Sequence, residues 1–181
     1  MKRIFALCAA ALLLITTLSA CGGTAATGSV KTVTPPEDIA TATPGDDTPY
    51  DNDLDGLCLY LEANGAIIRG EGDAAFTEMS YKEIGAIGGY RYRFICGSST
   101  VQAEFYEFDL DNLDAKGKEC IDSVREKGRF TVLENEVKAV LHPDEKYLMI
   151  YNDTGSAEEN ELQRHWVETC FSQFKTGVRF S

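Results

Sequence analysis

Apolar side chains follow three rhythms along this 181-residue chain. From Ile4 to Ile15 they run without a charge; from Gly22 to Pro49 they nearly vanish; from Leu54 they return in helical and strand periods. Leu54, Leu57, Cys58 and Leu61 recur at helical spacing, and Asn64-Gly65 follows as a C-terminal stop. This predicts a helix over Asp53–Asn64. Residues 65–79, with Gly65, Gly70 and Gly72, read as irregular. Ser80-Tyr81-Lys82-Glu83 has the form of a capping box, opening a short helical turn that ends near Gly85.

At Tyr90 the period becomes two. Tyr90, Tyr92, Phe94 and Cys96 fall on one face, while Arg91, Arg93 and Ile95 fall on the other. Gly97–Thr100 reads as the turn, after which Val101, Ala103 and Phe105 alternate with Gln102, Glu104 and Tyr106. Pairing Gly97 with Thr100 sets Phe94 opposite Ala103 and Arg93 opposite Glu104, so like meets like and cation meets anion. A second amphipathic helix is predicted over Leu113–Lys127, with Leu113, Cys120, Ile121 and Val124 inward and Gly128 as its stop. Phe130–Leu133 is a short strand. Val137, Ala139 and Leu141, the turn His142-Pro143-Asp144-Glu145 and Tyr147–Tyr151 make another hairpin. The last helix spans about Ala157–Lys175, with Leu162, Trp166, Val167, Cys170, Phe171 and Phe174 as its stripe and Gly177 after it. Tyr106-Glu107-Phe108-Asp109 and Tyr151-Asn152-Asp153 each precede a helix, with too few identities to establish a repeat.

The order α-ββ-α-(β)ββ-α predicts an α+β fold, an antiparallel sheet of four to five strands with helices packed mainly on one face. Residues 50–181 are enough chain for one core, hence a single globular domain. The Gly, Thr, Ala, Ser and Pro composition of residues 21–49, including Pro35, Pro36, Pro44 and Pro49, predicts a disordered tether.

The N-terminal run is too short to span a bilayer, which takes about 20 residues, but it has the length of a signal-peptide core behind the basic pair Lys2-Arg3. It closes with Leu18-Ser19-Ala20-Cys21, which resembles the lipobox of bacterial lipoproteins. The resemblance implies that residues 1–20 are removed and that the Cys21 sulfur forms a thioether to diacylglycerol. Two acyl chains give a stable anchor where one gives marginal binding. Gly22 is not the aspartate associated with inner-membrane retention in Gram-negative cells. In length, lipobox and Tyr/Asp-rich hairpins the chain resembles the small uncharacterised lipoproteins of Gram-positive anaerobes, a group that brings no activity with it. Localisation follows as an expectation: lipid-anchored on the extracytoplasmic face of the cell membrane, with the bilayer as partner through Cys21.

Charge narrows the other partners. Without Lys2 and Arg3 the chain keeps 15 basic residues against 29 acidic ones, a net charge near −14. Such a domain has no means of displacing phosphate counterions, so nucleic acid is not expected, whereas a protein or carbohydrate partner stays open.

Four constellations could carry chemistry. Asp51-Asn52-Asp53-Leu54-Asp55-Gly56 with Glu62 matches the calcium-loop pattern D-x-D-x-D-G-x5-E, in which Asp51, Asp53, Asp55 and Glu62 would supply oxygen ligands. Thr48-Pro49-Tyr50 cannot supply the entering helix, and the same residues carry the Leu54–Leu61 stripe, so the reading preferred is a helix with an acidic N-terminus. Cys58, Cys96, Cys120 and Cys170 invite disulfides in an exported domain, yet each falls on an apolar face, where buried thiols are expected instead. His165 and Cys170 differ by about 140° around a helix and point apart, and His142 sits in a turn, read as solvated. Gly85-Ala86-Ile87-Gly88-Gly89 precedes a strand, the wrong order for a phosphate loop. Arg91, Arg93 and Tyr106 could form a basic-aromatic patch, but read better as the wet face of a sheet balanced by Glu104.

No catalytic residue, metal ligand or cofactor is therefore assigned; Cys21, as the lipidation position, is the one site. The function expected is a membrane-anchored, non-catalytic binding domain that uses the open face of its sheet. The alternatives are a calcium-dependent module built on Asp51–Glu62 and an envelope-acting hydrolase.

Overall fold

The computed structural model describes residues 29–177, so residues 1–20 (expected to form a signal peptide), Cys21, residues 22–28 and residues 178–181 lie outside the described residues. Eight strands and three helices follow in the order β1 (Thr32–Val33), α1 (Leu54–Ala63), β2 (Phe76–Glu78), β3 (Gly88–Cys96), β4 (Ser99–Glu107), α2 (Ala115–Lys127), β5 (Arg129–Val132), β6 (Asn135–Lys138), β7 (Val140–Leu141), β8 (Tyr147–Asp153) and α3 (Glu158–Gln173). The fold is mixed α+β, as the sequence predicts. Its main sheet has six strands in the order β1-β3-β4-β8-β7, with β2 also on β3, and β5-β6 form a separate two-stranded ribbon.

Helix α1 forms where its stripe requires. Leu54, Leu57, Cys58 and Leu61 are all buried, and the Asp53 carboxylate caps the first turn by accepting from the Gly56 N–H at 2.8 Å. Together with α3 it covers one sheet face, packing on Phe94, Val101, Ala103, Phe105 and Met149. Helix α2 closes the opposite face over Tyr106, Leu148 and Ile150. Two of the three helices thus share a face, and the third covers part of the face that the sequence left open.

Residues 29–49 correct the tether. Strand β1 pairs in parallel with Ile95 and Cys96 of β3, Val33 is buried, and Ile39 and Ala42 pack on the larger core. Gly45 N–H donates to Asn64 Oδ1 at 2.7 Å, and the Asp47 carboxylate accepts from Lys175 N–H at 2.6 Å. A segment this poor in apolar residues cannot make its own core, but it can take up the unpaired edge of an existing sheet. The ordered unit therefore begins at least 21 residues before Tyr50. Strand β2 likewise lies within the stretch read as irregular, paired through Phe76↔Tyr92 and Thr77↔Arg91.

The β3-β4 hairpin keeps the predicted faces and changes the predicted partners. Its turn is Gly97-Ser98, with Gly97 at φ +56°, so Phe94 lies opposite Val101, Arg93 opposite Gln102 and Arg91 opposite Glu104. A slip of two residues leaves every side chain on its own face; the expected loop Ser98-Ser99 and the observed loop Gly97-Ser98 both have two residues, and the observed one places a glycine where such a turn needs a positive φ. At Ser80 the expected capping box is missing: the short turn Lys82–Ile84 starts from Tyr81 without a side-chain cap and stops at Gly85, φ +72°.

A groove between the last helix and an unfinished sheet edge

The predicted site residues do not come together. Asp51, Asp53, Asp55 and Glu62 belong to α1 and the residues leading into it. Asp53 is the helix cap, and Glu62 accepts from the Tyr92 hydroxyl at 2.8 Å. Among the described residues no group of three or more His, Cys, Asp or Glu is placed to hold a metal ion. Cys58, Cys96, Cys120 and Cys170 are free thiols, each buried, and burial pushes every one of their pKa values up. His165 is exposed while Cys170 is buried, as their helical spacing implies. On the other sheet face, Arg93 Nε donates to Gln102 Oε1 at 3.1 Å. The nearly buried Glu104 accepts from the Tyr106 hydroxyl and the Gln102 amide, both at 2.8 Å. Arg93 and Tyr106 of the basic-aromatic patch are thus paired within the sheet, and Arg91 stands opposite Glu104 in the ladder.

His142 is a correction. Read as a solvated turn residue, it is 1% exposed, its ring edge-on to Tyr147 and Phe171. The reason is the hairpin itself: His142 N–H donates to the Tyr147 carbonyl at 2.9 Å, which folds the turn over the core, and Asp144 Oδ1 reaches Nδ1 at 2.5 Å. The buried Nε2 has no hydrogen-bond partner among the described residues.

A further feature unexplained by internal packing is at the β8 edge. Val137–Leu141 read as one strand, but the chain bends at Ala139, whose N–H donates to the Gly128 carbonyl at 3.1 Å. Strand β6 turns away to pair with β5, and β7 covers β8 only at Leu148 and Met149. The Lys146 carbonyl accepts from Phe108 next to β4, and the Tyr147 carbonyl accepts from His142 on the opposite side. Strand alternation then turns the N–H and C=O groups of Met149, Tyr151 and Asp153 away from β4. Met149 meets Val140 there; among the described residues no strand pairs with Tyr151 or Asp153 on that side.

A groove of about 500 Å³ runs along this edge, lined by Lys138, Val140, Tyr151, Asp153 and, from α3, Arg164 and Glu168. The Arg164 guanidinium carbon stands 5.7 Å from the Tyr151 ring centroid. Tyr151 Oη and Arg164 Nε are both shielded from water, and neither has a hydrogen-bond partner among the described residues. Burial raises the Tyr151 hydroxyl pKa, so that oxygen stays protonated and able to donate.

No family model, curated protein or solved structure matches this chain. Function must therefore be argued from the groove itself. An unmade hydrogen bond on a buried polar group costs about 1–3 kcal/mol, and both of the residues that carry these groups line one cleft beside unpaired backbone. The sequence signals for this site are slight: Arg164 is a single cation in an acidic helix, and the bend at Ala139 leaves no mark in a period-two pattern.

Proposed function

We propose that the protein is a lipid-anchored, extracytoplasmic, non-catalytic binding domain whose ligand lies in the groove between α3 and the open edge of β8. The observation that carries the reading is the coincidence of unpaired strand backbone with the unpartnered Tyr151 Oη and Arg164 Nε. A ligand offering alternating hydrogen-bond donors and acceptors along one side would pair with the outward N–H and C=O groups of Tyr151 and Asp153. The sheet face expected from sequence is a weaker candidate, because α2 and the internal pairing of Glu104, Gln102 and Arg93 occupy much of it.

Membrane attachment rests on Lys2-Arg3, the apolar run and Leu18-Ser19-Ala20-Cys21. Docking begins early in the chain, since the Ser29 carbonyl already accepts from Glu71 N–H at 3.0 Å. From Cys21 to Ser29 the chain can reach at most about 28 Å, which would keep the domain close to the lipid surface. Replacing Cys21→Ala is expected to abolish incorporation of labelled fatty acid and leave an uncleaved or soluble product. A mutant that remains lipid-labelled would overturn the anchor.

The site is tested by amide chemical-shift mapping of the intact chain in detergent micelles against two mixtures, envelope oligosaccharides and short peptides. Perturbations are expected at residues 138–140, 151–154 and 164–168. Perturbations centred on Arg91, Arg93 and Gln102 would move the site to the other face of the sheet.

A further inference from the structure

Resting on that reading of the groove, we propose that its ligand is the C-terminal end of an extended peptide, added to β8 as an antiparallel strand with its terminal carboxylate beside Arg164. Strand addition uses an exposed edge whose N–H and C=O groups alternate outward, as those of Tyr151 and Asp153 do, with side-chain pockets beside it. The available edge is short, from Tyr151 to Thr154, because β7 already pairs with Met149 and Leu148.

The blocked end decides the chemistry. A strand antiparallel to β8 runs in the direction of β7 and meets Val140 when it draws level with Tyr151. It must end there or turn out of the groove. A chain that ends there places its α-carboxylate where Arg164 stands against the Tyr151 ring and where Lys138 lines the wall. The parallel orientation would instead bring an α-ammonium to two cations. Among the described residues neither Arg164 nor Lys138 is held in an ion pair, although the chain carries 29 acidic residues against 17 basic ones. A guanidinium with unused donors is the side chain best suited to a carboxylate. The Asp153 carboxylate lines the groove but is engaged by Ser99, Gly155 and Asn160, which leaves Glu168 to face the peptide one turn further along α3.

The test uses the intact chain in detergent micelles and a library of synthetic pentapeptides randomised at their last four positions, prepared as free acids and as C-terminal amides. The free acids are expected to bind at least tenfold more tightly than the matching amides and to slow hydrogen exchange at the Tyr151 and Asp153 amides. Arg164→Gln should bring the acid-to-amide ratio close to one, whereas Glu168→Gln should keep it. Acids and amides binding alike, with the same amides protected, would overturn the carboxylate and leave the groove in place. No peptide binding while oligosaccharides map to residues 151–154 would overturn the peptide and again leave the groove. Perturbations elsewhere on the domain would remove both. Retention of the acid preference in Arg164→Gln would exclude Arg164 as the receiving group.

Discussion

Between pH 8 and pH 10 the folded domain is expected to lose about 4 kcal/mol of stability, through the ionisation of thiols that only the unfolded chain can ionise. Cys58, Cys120 and Cys170 are 2%, 5% and 0% exposed. Burial lifts Cys120 and Cys170 from 9.0 to about 12 and pushes Cys58 further up. The sign follows from proton counts. Below pH 9 both states keep their protons and pH has no hold on stability. Above it the unfolded chain releases protons that the native core retains, so stability falls by about 1.4 kcal/mol per thiol for each pH unit, until the native thiols titrate near 12. Cys96 moves in the same direction, and above pH 10 the buried Tyr92, Tyr106 and Tyr147 add to the loss. Thermal melts under reductant should show Tm lower by roughly 10 °C at pH 10 than at pH 8. The double variant Cys120→Ala, Cys170→Ala should melt lower at pH 7, because it leaves cavities, yet lose about two-thirds less between pH 8 and pH 10. A wild-type stability unchanged up to pH 10 would show that these thiols reach water.

Sequence periodicity recovered what depends on neighbouring residues. The stripe of α1, the stop of α2 at Gly128 and the inward faces of β3 and β4 all follow from spacing that a short window contains. Partners across the hairpin did not follow, because register is set by where the two-residue turn sits, and moving it from Ser98-Ser99 to Gly97-Ser98 shifts every pair by two while moving no side chain to the other face. Strands β1 and β2 were illegible for a related reason. Thr32–Val33 and Phe76–Glu78 have no period of their own and exist because the β3 edge offers them hydrogen bonds.

The candidate site was the least legible part, since it arises from a strand that stops. A continuous Val137–Leu141 would have covered β8 and hidden Tyr151 in an ordinary ladder. The bend at Ala139, held by Gly128 at the end of α2, leaves the edge open to α3. Arg164 and Tyr151 are 13 positions apart and are brought together by how α3 lies on the sheet. His142 escaped in the same way: Pro143 and Asp144 mark a turn correctly, but whether a turn faces water or a core is decided by what packs against it.

Replacing Gly56→Ala is expected to destabilise the domain, against the rule for glycine inside a helix. In an exposed helix interior the exchange gains up to about 1 kcal/mol. Gly56 is buried in the first turn of α1, and a Cβ there would overlap the Asp51 carbonyl oxygen and lie 2.8 Å from its carbon and 2.9 Å from the Asp51 nitrogen. That backbone cannot retreat freely. The next residue, Asn52, receives Lys146 Nζ on its carbonyl and the Tyr147 hydroxyl on its side chain at 2.9 Å, while Leu54 N–H donates to Glu107 Oε2 at 3.0 Å. Moving Asp51 would loosen the attachment of α1 to β4 and β8 together. The clash outweighs the helix gain, for a net loss of about 2 kcal/mol and a fall in Tm of about 6 °C. The same glycine occupies the turn position of the calcium-loop pattern, so the two readings of Asp51–Glu62 diverge on one measurement. As a helix packed against its own lead-in, the segment gives the same loss in millimolar calcium and in chelator, with less than about 2 °C between them. A calcium loop would instead show a wild-type rise of several degrees with the ion, from about 2.7 kcal/mol at a hundredfold excess over Kd, and Gly56→Ala would abolish that rise. A higher Tm in Gly56→Ala, or a loss that appears only with calcium present, would show that Asp51 does not lie over the first turn of α1.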